Sequence, residues 1–128
     1  MADVNRGNRP LSPHLEIYRR EINMITSIVN RITGVGMALS MILIVWWLLA
    51  AATSAKYFGF VDGVMTSWVG TLILLGSLWA LWFHFFAGLR HLWMDFGYGY
   101  DKDTLNASGW VLVIGSLVLT GLSLLVMV

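Results

Sequence analysis

His84-Phe85-Phe86-Ala87-Gly88-Leu89-Arg90-His91-Leu92-Trp93-Met94-Asp95 closes an apolar run that extends from Trp68 to Leu89, and His84 is the only ionisable residue inside that run. At about 1.5 Å per helical residue, the run is roughly long enough to cross a hydrocarbon core of about 30 Å. An ionisable side chain is costly at that depth, so where one occurs it is a functional-site hypothesis by default. Two further stretches flank it. Asn23 to Ala52 is strictly apolar from Ile32 onward, interrupted only by Thr33, Gly34, Gly36 and Ser40, and Trp110 to Val128 carries no charge at all. The pattern predicts an all-α integral membrane protein with three transmembrane helices, near 23–52, 64–95 and 108–128, forming one domain over 23–128. Thr53 to Gly63, with Lys56 and Asp62, reads as a short loop. Phe96 to Asp103, rich in glycine and charge, reads as a turn in water. Residues 1–22 form a polar, basic arm in which Pro10 and Pro13 forbid a continuous helix, while Leu15, Ile17 and Tyr18 suit packing on a membrane surface or a partner.

The composition narrows the function classes. Of 128 residues, 58% are hydrophobic and 12% charged, and the charges avoid the three runs, which excludes an ordinary soluble domain and a nucleic-acid binder. Cysteine is absent, so this chain holds no thiolate-bound iron–sulfur cluster, covalent haem or cysteine nucleophile. His14, His84 and His91 are the remaining strong metal-ligand candidates. The arm lacks the compact apolar segment and cleavage site of a secretory signal, and the first spanning helix is expected to serve as the insertion signal. Arg6, Arg9, Arg19, Arg20, Arg31, Arg90 and Lys102 fall on one side of the membrane and Lys56 on the other, which predicts a cytoplasmic N-terminus. A bacterial inner membrane is expected in preference to a mitochondrial one.

His84 and His91, seven residues apart, project within about 20° of each other on one helix face and lie about 10 Å apart along it. They cannot both be axial ligands of one haem, because such ligands approach the macrocycle from opposite faces. His84 is the better ligand candidate. Gly88, one turn on, lets a flat cofactor approach the backbone, and Arg90 and His91 lie where propionates seek cations or hydrogen bonds. Asp95, one turn beyond His91, is placed to orient or neutralise it. A protein-held haem b fits this pattern, and so does a histidine that only hydrogen-bonds across helices. On the first helix, Ser27, Asn30, Arg31 and Thr33 form a polar cluster suited to lining a ligand pocket, although an arginine at a helix mouth also snorkels to headgroups.

Two segments carry a family resemblance. Arg9-Pro10-Leu11-Ser12-Pro13-His14-Leu15 with Ile17-Tyr18, followed by Ser27-Ile28-Val29-Asn30-Arg31-Ile32-Thr33-Gly34, resembles the N-terminal signature of the succinate dehydrogenase cytochrome b subunits. His84 to Asp95, with its Gly-Leu-Arg-His core, resembles their second signature. The resemblance implies a membrane anchor of respiratory complex II, with its helical bundle completed by a second small anchor subunit. In that family a flavoprotein with FAD oxidises succinate, an iron–sulfur protein carries the electrons to the membrane, and the anchors hold haem b and a ubiquinone site. It implies His84 as one axial haem ligand, with the other supplied by the partner anchor. His91, Arg90 and Asn30 would lie on the propionate side, and Ser27 and Arg31 would line the quinone site. Asn30 departs from the family's usual histidine at that position. It hydrogen-bonds but neither titrates nor carries charge, which puts in doubt any proton relay that relies on it. Other readings are a haem-free structural or quinone-binding anchor, the anchor of a quinol:fumarate reductase, and a small transporter. The last expects internal repeats or a second buried acid, and the sequence has neither.

Overall fold

The computed structural model of the chain describes residues 20–127, so most of the basic arm, including His14, lies outside the described residues. Among the described residues four helices follow one another: α1 (Ile22–Thr53), α2 (Ala55–Met65), α3 (Trp68–Asp95) and α4 (Lys102–Met127). Three of them, α1, α3 and α4, are long and apolar enough to cross a membrane. They pack side by side as the expected three-span unit, and many large apolar side chains remain on the outside, Leu39, Ile42 and Leu117 among them. A soluble protein would not leave such surfaces in water. In a bilayer, lipid tails or neighbouring helices cover them without penalty.

The expected loop at 53–63 is a helix. Ser54 caps α2 by accepting a hydrogen bond from the Tyr57 amide at 3.2 Å. Val61 and Met65, one turn apart, are buried with Ala50 against Leu43, Trp46, Trp47 and Leu74. The Trp46 indole donates to the Tyr57 hydroxyl at 2.8 Å and ties α2 back to α1. Gly59 and Gly63 look like breakers in sequence, but this apolar pair outweighs their low helix propensity. The chain then turns sharply at Thr66–Ser67, and α3 starts at Trp68 rather than near residue 64. Ser67 caps it by accepting from the Gly70 amide at 3.2 Å. A side chain at Gly70 would collide with the carbonyl oxygens of Val64 and Met65, so this corner requires glycine.

At the opposite end, α4 begins at Lys102, well before the expected 108. Its start is set by Asp101, whose Oδ2 accepts from the Thr104 amide at 3.0 Å. Hydrogen bonds from the Thr104 side chain and amide hold the Asp101 carboxyl below its ordinary range. The preceding turn uses left-handed backbone at Gly97 (φ 85°) and Gly99 (φ 78°), which only glycine adopts without strain. A second buried cluster, Phe83, Ala87 and Leu112, joins α3 to α4, with Val29 of α1 packed against it.

Candidate functional site

The seam between α1 and α3 positions His84. Its ring lies over Gly34: a Cβ built at that glycine would sit 3.2 Å from His84 Cε1 and 3.8 Å from Nδ1. The absent side chain is what lets the imidazole reach the backbone of α1. Farther along the same seam, the Ser40 and Ser77 hydroxyls hydrogen-bond to each other. These two contacts set an antiparallel register, in which moving six residues along α1 matches moving seven along α3. Continued one turn the other way, the register puts Asn30 at the depth of Gly88, and Ser27 at the depth of His91.

Among the described residues, His84 Nδ1 and Asn30 Oδ1 are buried with no hydrogen-bond partner, as are the indole nitrogens of Trp47 and Trp79. Leaving such a group unpaired costs about 1–3 kcal/mol, so each calls for an explanation. Nearby Thr33 does not satisfy the Asn30 side chain; its hydroxyl donates to the Asn30 main-chain carbonyl at 3.0 Å. Ser27 and Arg31 are exposed on the flank of α1 that also carries Gly34, since residues seven apart share a helix face to within about 20°. His91 is exposed, and Gly88 has nothing within 4 Å of where a side chain would begin. His84 meets Gly34, and by the register Gly88 and His91 of α3 lie at the depths of Asn30 and Ser27 of α1, with open space beside Gly88.

Arg90 goes elsewhere. It lies six residues beyond His84, about 120° around α3 from it, and turns inward between three helices. Its Nε donates to the Ser108 hydroxyl of α4 at 2.9 Å, and one Nη2 hydrogen goes to the Asn23 Oδ1 of α1 at 2.7 Å. The other goes to the Leu105 carbonyl at 3.3 Å. Asn23 in turn donates to Asn106 Oδ1 at 3.4 Å. The expectation grouped Arg90 with His91 by their shared depth at the interface, but neighbours on a helix point about 100° apart. Asn23, Asn106 and Ser108 were missed as its partners. Their signal was a set of polar side chains at the ends of two spanning segments, masked because the third helix is expected to begin only near 108, which leaves Asn106 outside it.

A single imidazole cannot enclose a metal, and among the described residues no cluster of three or more potential ligands occurs. One imidazole beside bare backbone is a donor set that fits a planar cofactor completed from outside the chain. The half-buried His84, its unpaired Nδ1 and the bare backbone at Gly88 are consistent with such a group lying along α3.

Comparison with known proteins agrees with this architecture. The family model for the succinate dehydrogenase/fumarate reductase transmembrane subunit matches residues 5–123. The succinate dehydrogenase cytochrome b556 subunit of Paracoccus denitrificans is 54% identical over 126 residues, covering 98% of this chain and 97% of the relative. The cytochrome b556 subunit of Rickettsia conorii is 35% identical over 114 residues, 89% of each chain. The cytochrome b560 subunit of Reclinomonas americana is 34% identical over 111 residues, 83% of this chain and 77% of its own.

Proposed function

This chain belongs to the succinate dehydrogenase/fumarate reductase transmembrane subunit family, and from that premise we propose that it is the anchor that binds haem b and ubiquinone in a bacterial succinate:quinone oxidoreductase. The observation that carries the reading is His84, an imidazole set in a membrane-spanning helix against Gly34 with a buried, unpaired Nδ1. The names of the relatives, cytochrome b subunits of succinate dehydrogenase, support it.

In this reading His84 would hold the haem iron, together with a residue of a second small anchor subunit. His91 and Asn30 serve the propionate edge nearer the water, at the depths the register gives them. Arg90 acts at one remove: its bonds to Asn23, Ser108 and Leu105 hold α3 against α1 and α4, and so set the height of His84 over Gly34. Bound haem b supplies a one-electron store beside the quinone.

Reducing ubiquinone requires two electrons and two protons. The electrons come from succinate, by way of FAD and iron–sulfur clusters in a flavoprotein and an iron–sulfur subunit. What this chain supplies is charge and hydrogen bonding at the quinone. Arg31 stabilises negative charge as it develops on a quinone oxygen, an effect that grows where water is excluded. The Ser27 hydroxyl, on the same flank, donates a hydrogen bond to an oxygen. Both residues lie near the N-terminal end of α1, the end that the distribution of lysine and arginine assigns to the cytoplasm. That placement puts proton uptake within reach of bulk water.

A reduced-minus-oxidised optical spectrum of the complex purified through this chain, wild type beside His84→Ala, tests the reading. The expected result is a b-type haem signal that the substitution abolishes or shifts. A wild-type complex that reduces quinone with succinate and shows no haem signal would leave a haem-free quinone anchor in its place.

A further inference from the structure

On the side of α3 turned away from His84, the structure contains a second recess of different character. It is a cleft of about 510 Å³ between α3 and α4, open along the outside of the bundle. Its deep end is apolar, formed by Phe86, Val111 and Leu112. The far edge of the Phe86 ring comes close enough to α4 that a Cβ at Gly115 would sit 3.1 Å from it, so that glycine lets the floor form. Its mouth, two turns of α4 nearer the loop, is polar and bears one charge of each sign, Arg90 and Asp103.

These charges are not spent on each other. The Arg90 hydrogen bonds go to Asn23, Ser108 and Leu105, and its Nη1 makes none among the described residues. Asp103 is exposed. The mouth thus offers a cation with a free donor edge and, separately, an anion, both at the depth where Trp93 marks the headgroup level. Below them runs an apolar slot about 10 Å deep by the helical rise.

We infer that this cleft is a binding site for a zwitterionic phospholipid, with the phosphate on Arg90, the ammonium group on Asp103 and one acyl chain along Phe86, Val111 and Leu112. The charge pair selects the headgroup. An anionic lipid would satisfy Arg90 and be repelled by Asp103, whereas a phosphate–ammonium pair answers both. Phosphatidylethanolamine has that chemistry, and its ammonium donates hydrogen bonds that a carboxylate accepts. The site lies on the face of α3 opposite His84 and does not depend on haem binding.

The test uses the chain purified together with its partner subunits, in nanodiscs of equal phosphatidylethanolamine and phosphatidylglycerol. Lipids that remain after release into detergent are weighed by native mass spectrometry. The wild type is expected to retain one more phosphatidylethanolamine than Ala107→Trp, which fills the cleft from its wall. Asp103→Asn is expected to lower the preference for phosphatidylethanolamine over phosphatidylglycerol about fivefold, the effect of one charge at a membrane surface. Equal retention by wild type and Ala107→Trp would overturn the proposal, as would a headgroup preference that Asp103→Asn leaves unchanged. Loss of a partner subunit in Ala107→Trp, with lipid content unaltered, would also overturn it and mark the cleft as a protein interface.

Discussion

His84 and Arg90 stand six residues apart on one helix, yet they belong to two regions that treat polarity in opposite ways. Around Arg90, polar groups from α1, α3 and α4 satisfy one another: the Nε and Nη2 of the guanidinium, two asparagines, a serine and a carbonyl form a closed set, and only the Nη1 edge is left to the outer cleft. Around His84, the seam carries Nδ1 and Asn30 Oδ1, both buried and unpaired. Membrane interiors penalise unpaired polar groups, so a closed set is what a chain needs to hold its own helices together. An open set costs stability within the chain and is explained by something that completes it. In the proposed reading, the difference separates a residue that builds the bundle from residues that serve the cofactor.

The largest effect expected from disturbing this contrast is at Arg90. Arg90→Leu removes three hydrogen bonds, each worth about 0.6 kcal/mol between membrane helices, so the detergent-solubilised protein is expected to lose roughly 2 kcal/mol of stability. Thermal unfolding followed by circular dichroism reads this directly. Protein that stays folded should still carry the haem spectrum, and a spectrum lost without loss of stability would move Arg90 to the cofactor side.

Next comes Gly34→Ala, which places a methyl 3.2 Å from His84 Cε1. The ring must yield by a few tenths of an ångström, at about 1 kcal/mol, within the range for overpacking. The expected outcome is a shifted haem absorption or potential with the subunits still assembled. An unperturbed spectrum would show that the height of His84 over α1 does not matter to the cofactor.

Asn30→Leu sharpens the comparison further. Because the Asn30 Oδ1 has no partner among the described residues, removing it should leave stability unchanged or raise it by less than about 1 kcal/mol. Quinone reduction by the assembled complex should nonetheless fall. Activity equal to wild type would argue that Asn30 has no role at the haem edge.

The smallest effect is expected outside the membrane. The Asp101 carboxyl is held low by Thr104, so its contribution to the start of α4 is complete above the unfolded carboxylate value of about 3.9 and fades as pH falls through the depressed folded value. Amide exchange at Thr104 should quicken in Asp101→Ala at neutral pH, and that difference from wild type should vanish in acid. A difference that persists in acid would mean the cap is not what orders this turn.

Much of the fold was legible because a bilayer asks so little of a sequence. Long runs such as Ile32 to Ala52 must be helical, since only a helix satisfies its own backbone in hydrocarbon. The misread segments were those where the bilayer no longer decides. α2 depends on Val61 and Met65 finding Ala50 and two tryptophans, contacts that glycines at 59 and 63 disguise. The first turns of α4 depend on one capping aspartate and on inward-facing Asn106 and Ser108. The site was partly legible too. The seven-residue spacing of His84 and His91 placed both on one face, and the shared face of Ser27, Arg31 and Gly34 followed from the same arithmetic.

The amino-acid sequence by itself determined that this chain crosses a membrane three times with an ionisable ring inside one span. It did so because hydrophobic run length and helical period are local properties. Only the tertiary structure decided that His84 rests on Gly34 while Arg90 bonds to α1 and α4 on the far side of α3. That division depends on the register and rotation of packed helices, which are set by contacts such as Ser40 with Ser77 and Arg90 with Asn23, between residues far apart in the chain.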